Sequence, residues 1–75
     1  MPLAIKQFRE SQKMSQDEFA DIIGISKVNY SKKERGLVKF SLNEAYQYSQ
    51  YFRKPIEVIF GCAEFSQDEP LINSL

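Results

Sequence analysis

The sequence predicts an all-α fold, a compact bundle of about five short helices, and three observations carry that expectation. Two Ser-x-x-Glu capping boxes, Ser15–Glu18 and Ser41–Glu44, stand just ahead of apolar residues that recur every three or four positions. Such a box satisfies two of the N–H groups left without partners at a helix start. The three glycines, Gly24, Gly36 and Gly61, each follow a segment of this kind, where a left-handed residue ends a helix cheaply. The hydrophobic share of 43%, with 13% aromatic, is that of a folded globule and too high for a disordered chain.

The first helix is expected from Pro2, suited to a first helical position, to about Lys13. Ile5, Phe8 and Gln12 fall on one of its faces with Arg9 beside them. Ser15 caps the second helix, Gln16 to Ile23, with Asp17 and Glu18 at its positive end. Phe19, Ile22 and Ile23 make its apolar face. After the short Gly24-Ile25 connection, Ser26 caps a third helix from Lys27 to about Arg35. Val28 and Tyr30 are the only apolar residues in that helix, so most of its surface is expected to face something other than the core. The connection "LVKF" is unusually apolar for a loop. The fourth helix follows Ser41 to about Phe52, with Leu42, Ala45, Ser49 and Phe52 on one face and Tyr46 and Tyr48 flanking. Pro55, read as another first helical position, opens the fifth, where Ile56, Ile59 and Phe60 share a face. The expected organisation is one domain over 1–61 and an acidic tail over 62–75. The tail is either a dimerisation element or a disordered terminus.

Composition narrows the function classes. With 75 residues and no histidine, the chain lacks a metal-ligand cluster, and no cofactor is expected. No Gly-rich phosphate loop or paired carboxylates in a recognisable setting argue for catalysis, so the expectation is a protein that is not an enzyme. A small-molecule substrate is not expected. The lone Cys62 cannot form an internal disulfide. No apolar run approaches the roughly 20 residues of a membrane span, and "MPLAIKQFRE" has no signal-peptide pattern, so the expected setting is cytoplasmic.

Charge is uneven beneath a net charge of zero. Residues 1–60 carry ten basic and seven acidic residues, +3, whereas 61–75 carry Glu64, Asp68 and Glu69 and nothing basic, −3. Half of the basic residues, Lys27, Lys32, Lys33, Arg35 and Lys39, fall within "SKVNYSKKERGLVK", where Glu34 is the only acid. Most charge runs are solvated polar faces. Here the run sits on the second of two short helices joined by a glycine turn, the first amphipathic and the second polar and basic, which is a helix-turn-helix layout. Ala20 is the small residue where the two helices would cross. Ile25 and Tyr30 would anchor the second helix, leaving Lys27, Val28, Ser31 and Lys32 pointing outward.

The stretch "SQDEFADIIGISKVNYSKKERG" resembles the helix-turn-helix of the Xre/Cro family, the lambda-repressor-like DNA-binding domains. Around it, "FRE" and "SLNEAYQYSQYFRKPIEVIF" resemble the flanking helices of that family, so the likeness covers residues 3–60. Arg9, Ser15-Gln16, Phe19-Ala20, Gly24-Ile25-Ser26, Glu34-Arg35-Gly36 and the Ser41 cap carry it, weak singly and strong in order. The resemblance implies a DNA-phosphate contact at Gln16 and base contacts at Lys27, Val28 and Lys32, with Asn29 and Ser31 placed to touch bases or phosphates. Lysine donates to guanine and valine meets a thymine methyl. It also implies backbone contacts around Arg35 and Lys39, and a partly buried ion pair between Arg9 and Glu34. Three departures stand out. Tyr30 replaces a branched aliphatic and needs a partner for its hydroxyl. Lys33 replaces an apolar residue, so its stem is expected along the core edge with its ammonium directed outward, within reach of a phosphate. Phe40-Ser41 replaces a proline.

The leading reading is therefore a Cro-like repressor that binds double-stranded DNA at a palindromic operator. Few positive charges on one copy favour a homodimer reading two half-sites. Its interface is expected at the last helix and tail, through Ile59, Phe60, Phe65, Leu71 and Ile72. The alternative is a protein-interaction module, an antirepressor or antitoxin-type partner on the same fold, favoured by the zero net charge, the acidic apolar tail and the tyrosines.

Overall fold

The computed structural model describes residues 4–66. Within them the chain forms five helices, α1 (Ala4–Ser11), α2 (Gln16–Ile22), α3 (Lys27–Glu34), α4 (Leu42–Phe52) and α5 (Ile56–Phe60). Both capping boxes form: Ser15 and Ser41 accept from the N–H groups of Glu18 and Glu44, whose carboxylates accept from the serine N–H groups in return. Pro2, Leu71 and Ile72 lie outside the described residues. Packing joins α2 to α3, α4 to α5, α1 to α5 and α2 to α4.

The core is aromatic. Phe19 is fully buried, and its ring meets those of Phe8, Tyr30, Tyr48 and Phe52 at centroid distances of 6.4, 5.8, 4.6 and 5.4 Å. Phe40 extends the cluster to Phe60 at 5.1 Å. Such ring pairs add to the stabilisation from area burial, each by about 0.5–1.5 kcal/mol. The Tyr48 hydroxyl donates to the Phe19 carbonyl at 2.7 Å, so the polar tip has its partner inside.

That contact corrects the expected face of α4. Tyr48 and Ala45 are fully buried, whereas Leu42 is 49% exposed. Phe40, only 3% exposed, supplies the apolar body at this end instead, its ring 6.3 Å from that of Tyr48. Pro55 also departs from expectation. It precedes α5 with an extended ψ of 150° and forms the N-cap rather than the first helical residue.

The expected domain limit falls inside the folded body. Residues 62–66 run along it, with Ala63 and Phe65 against the core and the Phe65 ring 5.2 Å from that of Phe60. The Ser66 N–H donates to the Phe40 carbonyl at 2.9 Å, and Ser41 and Ser66 pair in a parallel β-bridge. Ile59 and Phe60 are 0% and 2% exposed. They are core residues of this single copy, where the expectation had placed them at an interface with a second one.

Candidate nucleic-acid interface

The connection between α2 and α3 is closed by backbone bonds that only a left-handed residue permits. Gly24 has φ +71°, its N–H donates to Asp21 at 3.1 Å and the Ile25 N–H reaches the Ala20 carbonyl at 3.2 Å. This is the Schellman pattern of two bonds folding the chain back over a helix end. Ala20, 1% exposed, presents no bulk to the packed pair. Ser26 then caps α3, its hydroxyl accepting from the Asn29 N–H at 3.1 Å.

α3 has two differently used sides. Tyr30 and Glu34, one turn apart, are buried at 0% and 4% exposure. Val28, Ser31, Lys32 and Arg35 follow the i, i+3, i+4, i+7 spacing of the opposite side, and Val28, Lys32 and Arg35 are exposed, with Ser31 partly so. Lys27 and Asn29 are also exposed and flank that stripe. Arg35 folds back toward its own helix, Nε donating to the Ser31 carbonyl at 3.3 Å.

A single carboxylate holds the inner side. Arg9 Nε lies 2.8 Å from Glu34 Oε2 and its Nη2 lies 3.3 Å from Oε1, while Nη1 donates to the Met14 carbonyl at 2.8 Å. The Tyr30 hydroxyl donates to Oε2 at 2.6 Å and the Gln16 amide to Oε1 at 2.9 Å. Glu34 thereby links α1, α2 and α3 at one point. Burial alone would raise its pKa, but hydrogen bonds from Arg9, Tyr30 and Gln16 outweigh it and hold the carboxyl below its ordinary value. The Arg9 guanidinium is shifted up, chiefly by its hydrogen bond to Glu34. Burial pushes the Tyr30 hydroxyl far above its usual range, and the neighbouring carboxylate adds to it.

Sequence reasoning named Arg9 and Glu34 but missed the other two partners. Tyr30 was within reach, because residues four apart share a helix face. Gln16 was not, since it lies 18 positions from Glu34. The same amide was expected on a DNA phosphate, and the structure places it on Glu34.

The other basic residues divide. Lys33 is turned inward, contrary to the expected outward ammonium and phosphate contact. Its Nζ sits 3.0 Å from Glu44 Oε1 and 3.2 Å from the Lys39 carbonyl, 5.7 Å over the Phe40 ring. With acid, carbonyl and ring all on the body, inward is where its charge is compensated. Lys39 stays out, paired with Glu64 at 3.3 Å with side chains 59% and 83% exposed. The connection after α3 leaves Leu37 and Val38 68% and 45% exposed, a feature the apolar "LVKF" announced without a location.

Among the described residues, no group of His, Cys, Asp or Glu could hold a metal ion, and no helix is long and apolar enough to cross a membrane. No curated protein matches the chain. A helix-turn-helix family model matches residues 5–59, from Ile5 in α1 to Ile59 in α5. With five helices in this order and α3 presented beside α2, the chain belongs to the helix-turn-helix family of Xre and lambda-repressor-like DNA-binding regulators.

Proposed function

We propose that this regulator recognises its operator with α3 in the major groove, and that it acts as a Cro-like repressor on a palindromic site as a dimer. The observation that supports this reading best is the stripe Val28, Ser31, Lys32 and Arg35 with Lys27 and Asn29 beside it, mostly solvent-exposed on a helix fixed from behind by Glu34. Lys27 and Lys32 are assigned to guanine edges, Val28 to a thymine methyl, and Asn29 and Ser31 to bases or nearby phosphates. Arg35 and Lys39 are assigned to the backbone, and the Gln16 amide to a phosphate at the start of α2, where it would be shared with Glu34. Repression would come from occupying DNA that polymerase or another regulator needs. Dimerisation would double the phosphate contacts of a modestly charged chain.

Exposed Tyr46, Tyr51 and Val58, 57%, 61% and 53% accessible, favour a second reading in which the fold binds another protein. Selection of bound DNA from a random pool, followed by titration of Lys32→Ala on the selected site, separates the two. The expected loss is about 1–3 kcal/mol on the specific site. Wild-type binding to Lys32→Ala removes the base assignment, and selection of no sequence leaves the protein-binding reading in its place.

A further inference from the structure

We infer that Glu64 is a built-in stand-in for a DNA phosphate: a strap of residues 62–66 holds it on Lys39, and DNA must displace it to contact that lysine. The inference rests on the DNA-binding reading above and concerns a segment beyond residues 5–59, where the family match ends.

The strap brings Glu64 beside Lys39. Ser41 and Ser66 form an isolated parallel β-bridge, and Lys39 and Glu64 each lie two residues before it. Their side chains meet at 3.3 Å. Ala63 and Phe65, on either side of Glu64, are packed against the core, and the Ser66 N–H is bonded to the Phe40 carbonyl, the residue after Lys39. The backbone at Glu64 is therefore anchored on both sides, while its side chain reaches into solvent, 83% exposed.

The pair itself is easily opened. Both side chains are mostly in water, and such pairs are weak and screened by salt. Beneath it lies a cavity of about 210 Å³ lined in part by Val38, Phe40, Phe60 and Ala63, so the connection and the strap are not packed together throughout. Glu64 can swing away from Lys39 without disturbing the core. Of the two amines near this connection, Lys33 is already committed to Glu44, which leaves Lys39 as the one a phosphate can reach. A phosphate at Lys39 would meet the Glu64 carboxylate as a like charge, so binding exchanges one anion for the other.

The test is a titration of the full chain with its selected site and with mixed-sequence duplex, at several salt concentrations. Glu64→Gln keeps the size and removes the charge. It is expected to tighten binding to both duplexes alike, by about 2- to 5-fold at low salt, with the gain shrinking as salt rises. Lys39→Gln is expected to weaken binding and to abolish the gain from Glu64→Gln in the double variant. Unchanged or weaker binding by Glu64→Gln overturns the inference, as does a gain that persists without Lys39. A merely structural strap would lower the melting temperature of Glu64→Gln and leave the salt dependence alone. If wild type binds neither duplex, the DNA-binding reading itself fails; if it binds both with ordinary salt dependence, only the role of Glu64 is at stake.

Discussion

At Glu34 four donated hydrogen bonds converge on two oxygens. With side chains 11% and 3% exposed, the Arg9–Glu34 pair has lost most of its water, so neither ion can stand alone cheaply. Arg9→Met is expected to destabilise the fold by about 3–5 kcal/mol, because a buried carboxylate is left with neutral partners only. A 75-residue domain has about 4–11 kcal/mol in all, so this one change approaches unfolding. A double-mutant cycle in urea with Glu34→Gln measures it; coupling near zero would show that the pair behaves as a surface one. The deficit has a pH signature. The folded carboxyl titrates below its ordinary value, so its contribution is complete above about pH 4.3, the unfolded value, and is lost as pH falls through the folded one. The Arg9→Met deficit is therefore expected to be larger at pH 7 than at pH 4.

At the scale of helices, the places of the ends were legible, but the backbone device that closes two of them was not. α2 and α3 stop at Gly24 and Gly36, both visible beforehand, with φ of +71° and +84°. α1 and α4 stop in the same left-handed way at Lys13 and Arg53, with φ of +58° and +57°. The Met14 N–H reaches back to Arg9 and the Lys54 N–H to Ser49. Nothing in a lysine or an arginine signals such a role, since tertiary packing and not local preference puts the chain there. The stops near Lys13 and Phe52 were expected; the left-handed residue that makes each of them was not. Left-handed backbone costs an L-residue about 1–2 kcal/mol, of which glycine recovers part after its own entropy loss. Lys13→Gly and Arg53→Gly are each expected to raise unfolding stability by about 0.5–1 kcal/mol, read from the urea midpoint. A loss at either position would mean that the side chain there contributes more than the strain it carries. The same kind of misreading affected α4, where a 3.6-residue wheel favoured Leu42 over Tyr48. Periodicity weighs apolar character, and it could not foresee that a carbonyl of Phe19 would receive the tyrosine hydroxyl.

For the molecule as a whole, helix order, caps and the two-sided character of α3 were legible because they rest on local chemistry. The inner cluster was half legible, and the docking of 62–66 was not, because it depends on register with a distant connection. Global stability carries a further mark of the aromatic core. Tyr30 and Tyr48 are both fully buried, and burial pushes both hydroxyls well above their usual range. The unfolded chain releases these protons near pH 10 while the folded one keeps them, so stability falls as pH rises past that value, by about 1.4 kcal/mol per pH unit for each tyrosine. Tyr48→Phe is expected to halve the alkaline slope contributed by this pair, measured by urea unfolding between pH 9 and 11. An unchanged slope would mean that Tyr48 ionises as freely in the fold as outside it.

The crowding of donors on Glu34 has one more implication. A helix fastened through that carboxylate to two others has little freedom to roll or slide, so its outer residues are pre-organised before any duplex arrives. Little ordering of the backbone is left to oppose association. On the proposed reading, fine adjustment would then fall to the long flexible arms of Lys27 and Lys32 and to the duplex, whose local stiffness would become part of what is discriminated.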